Sequence, residues 1–192
     1  LGHYCPVGSS APTPCPPGTY SNVTLATASS ACLSCPAGVV CTSYATVTPS
    51  TPCPAGYICG GGNVNGTEAP CPLGSYCPLG SSLAHACAAG SYADVTGLAA
   101  CRSCPARYFC VGAAVTPAPC PAGYYCPANS VSGTANACPA GTLSNATGLA
   151  GVAECRACPA GYYCAAAALT APTGPCSAGV YCIGGAVSSA PT

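Results

Sequence analysis

One seven-residue phrase, Cys-Pro-x-Gly-x-x-Cys, recurs along this chain, and no other feature restricts its fold as much. It reads CPAGVVC at 35–41, CPAGYIC at 53–59, CPLGSYC at 71–77, CPARYFC at 104–110, CPAGYYC at 120–126 and 158–164, and CSAGVYC at 176–182. A catalytic site is not repeated seven times along a chain. Short units that cannot bury a core alone are repeated in this way, each with its own crosslink.

Composition supports that reading. Cysteine supplies 21 of 192 residues, the level of a disulfide scaffold. Leu, Val, Ile and Phe number only 26, and Trp and Met are absent. Apolar burial is therefore small, and bridges closing short loops, worth about 2–3 kcal/mol each, are expected to supply what it lacks. Such bridges imply an oxidising setting, so the protein is expected to be extracellular: secreted or at the cell surface.

Charge is almost missing. Arg102, Arg107, Arg156, Asp94, Glu68 and Glu154 are the only charged side chains, and there is no Lys. Soluble domains usually carry surfaces with about 25–35% charged residues. Glycans, neighbouring subunits or both are expected to cover this surface instead. Three Arg and no Lys make no basic patch, so nucleic acid is not a partner. No run approaches 18 apolar residues, so no membrane span is expected in this window. With two His and one Asp, no catalytic set can be assembled, and neither enzyme activity nor a cofactor is expected.

Two unit types alternate. The long unit is Cys15, Cys32, Cys35, Cys41, then Cys87, Cys101, Cys104, Cys110, then Cys138, Cys155, Cys158, Cys164. The short unit is Cys-x5-Cys alone. Residues 1–14 read as the tail of a preceding repeat plus spacer, and 15–52 as the first long unit with its spacer. Two short units fill 53–86, the second long unit 87–119, a short unit 120–137 and the third long unit 138–175. A last short unit and the start of another spacer occupy 176–192. Leu1-Gly2-His3-Tyr4-Cys5 has the form of a phrase without its first two residues. The partner of Cys5 is accordingly expected upstream, in a longer repeat protein.

Within each phrase Pro fixes φ and Gly allows a tight turn, so short β-hairpins and turns are expected rather than long elements. The spacers, rich in Ala, Ser, Thr, Pro and Gly, have no helical or strand period and should be extended loops. Ala165 to Ala168 could form one helical turn. The fold class is thus small disulfide-rich repeats in an elongated linear array, each unit touching only its neighbours.

Spacing leaves the pairing open. The simplest scheme joins sequential cysteines: Cys15–Cys32, Cys35–Cys41, Cys53–Cys59, Cys71–Cys77, Cys87–Cys101, Cys104–Cys110, Cys120–Cys126, Cys138–Cys155, Cys158–Cys164 and Cys176–Cys182. Cys5 is then unpaired in this window. A crossed scheme, such as Cys104–Cys120 with Cys110–Cys126, is the alternative. The Cys-x2-Cys pairs at 32/35, 101/104 and 155/158 resemble zinc or redox motifs. With only His3 and His85 to add ligands, no metal site is expected.

Three sequons occur, at Asn22, Asn65 and Asn145. Asn22 lies seven residues after Cys15 and Asn145 seven after Cys138, while the second long unit has Asp94 at that offset. A secreted loop with Asn at this spot is a good N-glycan acceptor. Thr13, Thr48, Thr51 and Thr116 each precede a Pro in the spacers and are candidates for O-glycosylation. Tyr4, Tyr76, Phe109, Tyr125, Tyr163 and Tyr181 come just before a phrase's closing Cys, where Val40 and Ile58 stand in other copies. That row is expected to be each unit's small core, with a carbohydrate or partner platform as the second reading. Arg107 replaces the phrase glycine, so its backbone must avoid positive φ or carry strain.

The start Cys-Pro-Pro-Gly-Thr-Tyr-Ser at 15–21, followed by Cys-x2-Cys-Pro-x-Gly, resembles the ephrin-receptor-like cysteine-rich repeat. The copies at 87–110 and 138–164 depart from it at Ala88, Ser91 and Leu143. Proteins similar to this form receptor ectodomains, large extracellular proteins of algae and protists, and mastigonemes, the glycoprotein hairs of flagella. The resemblance implies an extended, glycosylated structural role. The expectation is a structural subunit of an extracellular glycosylated filament or coat, partnered by copies of itself and by glycans. The alternative is the stalk of a cell-surface receptor or adhesin.

Overall fold

In the computed structural model, residues 1–190 are described; Pro191 and Thr192, in the spacer that begins after Cys182, lie outside them. Every regular element among them is two or three residues long. Two compact units divide the chain: Leu1–Ala86 with Ala93–Cys101, and Cys87–Tyr92 with the chain from Arg102 onward. The protein is built of small disulfide-rich repeats made from short antiparallel hairpins.

The hairpins follow from the phrase. Its proline holds φ near −65°, and its glycine takes the left-handed turn conformation, as at Gly38 (φ 84°) and Gly123 (φ 81°). The next two residues run out as a strand and pair with the two residues before the following phrase. In the first unit these pairs are His3–Tyr4 with Thr13–Pro14, Thr19–Tyr20 with Leu33–Ser34, Val39–Val40 with Thr51–Pro52, and Ser75–Tyr76 with His85–Ala86. In the second they are Ser91–Tyr92 with Arg102–Ser103, Tyr108–Phe109 with Ala118–Pro119, Thr142–Leu143 with Arg156–Ala157, and Tyr162–Tyr163 with Gly174–Pro175. Tyr57 with Pro70 and Tyr124 with Ala137 hold the same place as single bridges.

Backbone hydrogen bonds join each phrase to the next. In the first unit the Gly38 N–H donates to the Cys59 carbonyl at 2.9 Å, and the Cys53 N–H donates back to the Gly38 carbonyl at 2.9 Å. In the second, the Gly123 N–H donates to Ser144 at 2.9 Å and Cys138 donates to Gly123 at 2.9 Å. The phrase opening at Cys15 fits this pattern although it lacks a closing cysteine. Ser21 sits at that position, and Ala93 and Ser144 do so in the other long units; all three are buried. Both unit types therefore contain the same turn.

The spacers differ from the extended loops expected. They bend through a second turn at a residue with positive φ, Gly8, Ala45, Gly62 and Gly80 in the first unit and Ala113, Asn129, Ala168 and Gly185 in the second, and the loops of the long units do the same at Leu25, Gly97 and Gly148. From Ala45 onward the N–H of that residue donates to an opening cysteine one phrase back, as in Gly62 to Cys35 and Gly148 to Cys120, at 2.8 and 2.7 Å. Ala168 holds this position at φ 60°, so residues 165–168 form a bend and not a helical turn. Nor are contacts restricted to adjacent units. A Cβ on Gly38 would lie 2.7 Å from the carbonyl oxygen of Gly80, beyond the next short unit, and one on Gly56 would lie 2.3 Å from that of Gly97. Glycine is required there because backbone passes directly over it.

The core is mostly sulfur. Bridges join Cys15–Cys32, Cys35–Cys41, Cys53–Cys59 and Cys71–Cys77 in the first unit. In the second they join Cys104–Cys110, Cys120–Cys126, Cys138–Cys155, Cys158–Cys164 and Cys176–Cys182. Cys87 and Cys101 are disulfide-bonded as well, and Cys5 is free and exposed. Most bridge sulfurs are fully buried, with few other apolar side chains beside them: Val40, packed by Tyr57, joins Cys53 and Cys59, and Ala114, packed by Tyr92, joins Cys104 and Cys110.

Candidate functional site

Because the bridges and backbone bonds fill the interior, chemistry is left to the turns and strand faces. The second turn of the first and third long units carries two of the three sequons. Asn22 follows buried Ser21 and leads to Leu25; Asn145 follows buried Ser144 and leads to Gly148. Both asparagines and their sequon threonines, Thr24 and Thr147, are exposed. Asn65 and Thr67 are exposed too, and the Asn65 Oδ1 accepts a hydrogen bond from the Thr67 N–H at 3.2 Å. Thr13, Thr48, Thr51 and Thr116 are all exposed; Thr13 and Thr51 lie on hairpin strands that lead into phrases.

The aromatic row is half-buried. Tyr4, Tyr76, Phe109, Tyr125 and Tyr163 each lie partly covered, Val40 is buried, and Tyr181 is 84% exposed. Tyr76 meets His85 across its hairpin, ring centroids 5.6 Å apart. A half-covered ring packs on nearby backbone, as Phe109 does against Gly133 of the next repeat, and leaves an edge in solvent, which suits a small core more than a broad platform.

Arg107 keeps the phrase turn at φ 81° and so carries the strain that glycine avoids. Its guanidinium compensates. One nitrogen, Nη1, donates to the Gly148 carbonyl at 2.8 Å and to Glu154 at 3.1 Å, while Nη2 donates to Glu154 at 3.0 Å. Glu154 belongs to the short 3-10 helix Val152–Glu154 in the third long unit and also accepts from the Ala150 N–H. The pair clamps one phrase to a loop about forty residues on in the same compact unit. Spacing gave no sign of it, although each of six charges in such a chain is conspicuous.

The second turns had a clearer signal. Cys-Pro-x-Gly at 5–8 and 77–80 and Cys-Pro-x-Asn at 126–129 repeat the opening of the phrase from its closing cysteine. Ser9, Ser81 and Ser130 donate their hydroxyls to the carbonyls of Pro6, Pro78 and Pro127 at 2.6–2.7 Å. Thr19 and Thr142 do the same to Pro16 and Pro139 in the first turn.

Among the described residues no three His, Cys, Asp or Glu side chains are grouped to hold a metal, and no helix is long and apolar enough to cross a membrane. No protein-family profile matches this sequence, and no curated protein matches it.

Proposed function

We propose that this chain is a structural subunit of an extracellular, glycosylated filament or coat, and that it has no catalytic role. A dense set of bridged hairpins is compatible with a structural role outside the cell, and so many disulfides suit an oxidising compartment. One observation carries the reading: within each compact unit the repeated phrases are stapled by bridges whose sulfurs are mostly buried, and each phrase is hydrogen-bonded to the next. What recurs from phrase to phrase is the turn, its bridge and its backbone bonds, a pattern that suits a mechanical role.

The surface is nearly uncharged, and its three sequons and four Thr-Pro sites are exposed. Glycans there would supply the solvation that Lys and Glu give other proteins. The remaining apolar surface would face copies of the same chain. Electron microscopy of native, unreduced material tests the assembly. Ordered fibres with an axial repeat and sugar density at Asn22 and Asn145 support the filament. Thin isolated stalks ending in a globular head overturn it in favour of a receptor or adhesin stalk.

A further inference from the structure

We propose that the groove beside Asn145 seats the first sugars of an N-linked glycan on that residue, so that this glycan lies against the protein instead of projecting freely. The inference rests on the glycoprotein reading above and adds a binding site to it. Asn145 lines a cavity of about 430 Å³ with Leu143, Arg156, Pro159, Thr170 and Pro172. That volume falls in the range of roughly 300–1,000 Å³ typical of ligand sites.

Local structure sets up the groove. Leu143 and Arg156 stand opposite each other in one hairpin, so their side chains share a face. Asn145 leaves the same strand two residues later. Thr170 and Pro172 come from the spacer just after the second turn at Ala168. The lining is mixed: apolar Leu143 and two prolines, one hydroxyl and one guanidinium.

A sugar ring presents an apolar C–H face and a rim of hydroxyl and acetamide groups. Leu143 and Pro172 match the first; Arg156, a donor of several N–H groups, and Thr170 match the second. Among the described residues the Arg156 guanidinium and the Asn145 side-chain amide make no hydrogen bond within the chain, whereas the Asn65 Oδ1 accepts from the Thr67 N–H. The long unit opening at Cys87 carries Asp94 and Arg102 at the positions of Asn145 and Arg156. Where that unit has opposite charges, this one has an arginine and a sugar acceptor.

In attachment, the Asn145 amide nitrogen displaces the pyrophosphate of a lipid-linked oligosaccharide. The N–C1 bond forms, the C1–O bond breaks and the amide loses a proton. The tethered sugar is then held at high effective concentration beside the groove, so a weak contact suffices to seat it.

The test uses the full chain secreted from a eukaryotic host, with glycan occupancy read at each sequon by mass spectrometry. Release by peptide N-glycosidase is then timed at Asn145 and Asn22, in native and in reduced, unfolded protein. Native release at Asn145 is expected to be about tenfold slower than at Asn22, and the two rates equal after unfolding. R156A should bring the native Asn145 rate close to that of Asn22, while hydrogen exchange of the other hairpins shows the fold intact. Equal native rates, or a bare Asn145 beside an occupied Asn22, overturn the inference and leave the glycoprotein reading standing. Bare asparagines at all three sequons overturn both.

Discussion

The phrases opening at Cys120 and at Cys138 have nearly the same backbone and different covalent chemistry. In the first, Cys120 bridges to Cys126 at the closing position; in the second, Ser144 holds that position and Cys138 reaches Cys155 instead. The glycines of both make the same pair of backbone bonds, Gly123 with Ser144 and Cys138, and Gly141 with Cys164 and Cys158. The turn geometry therefore does not depend on sulfur at the closing position. The bridge contributes stability, and moving it to Cys155 turns the intervening segment into a longer exposed loop that carries the sequon.

The largest expected effect breaks the bridges themselves. Replacing Cys120 and Cys126 together with Ser should cost roughly 2–5 kcal/mol, and so should replacing Cys138 and Cys155. Denaturant unfolding of each double variant checks this; a cost near zero for either would show that the backbone ladder alone suffices.

Next come the glycines. At Gly123 a Cβ would meet the Ala168 carbonyl oxygen at 2.4 Å, whereas at Gly161 it would meet nothing within 4 Å, though both have positive φ. Gly161→Ala should cost about 1 kcal/mol, the strain of the left-handed backbone alone. Gly123→Ala should cost at least a further 1–3 kcal/mol, roughly the penalty for overpacking. Equal Tm losses in the two variants would contradict the close backbone crossing.

Arg107 sharpens the point. Arg107→Ala keeps the strained φ and loses the clamp, while Arg107→Gly loses the clamp and relieves the strain. The alanine variant should be less stable by about 1 kcal/mol. Because both partners of the ion pair are partly exposed, Glu154→Gln should cost only about 0.2–1 kcal/mol, less at high salt.

The smallest effect distinguishes the two serines at the closing position. The Ser144 hydroxyl accepts from the Ala146 N–H at 3.2 Å, while the buried Ser21 hydroxyl has no hydrogen-bond partner among the described residues. Ser144→Ala should destabilise by about 1 kcal/mol and Ser21→Ala should be neutral or stabilising. Like signs for both would show that the hydroxyls are not what differs between them.

Sequence disclosed the first turn of each repeat and the shortage of regular structure, because Pro and Gly act locally and are repeated. It did not disclose the second turn at Leu25, Ala45, Ala113 or Ala168, since residues other than glycine there give no compositional sign of positive φ. The contact of Gly38 with Gly80 and the clamp of Arg107 on Glu154 join segments about forty residues apart. They depend on how far each repeat advances, which spacing does not determine. The sequons could be read directly, and so could the offset shared by Asn22 and Asn145; the groove beside Asn145 needed Leu143 and Arg156 placed face to face by hairpin register.

Non-reducing peptide mapping of the native, unreduced chain, with digestion at acid pH to keep bridges from reshuffling, is the decisive experiment. The expected map has Cys120 linked to Cys126 within one phrase, Cys138 linked to Cys155 across the sequon loop, and the same two patterns in the other repeats. Cys104 linked to Cys120 with Cys110 linked to Cys126, or a large fraction of free thiols, would contradict a chain stapled between sequential cysteines.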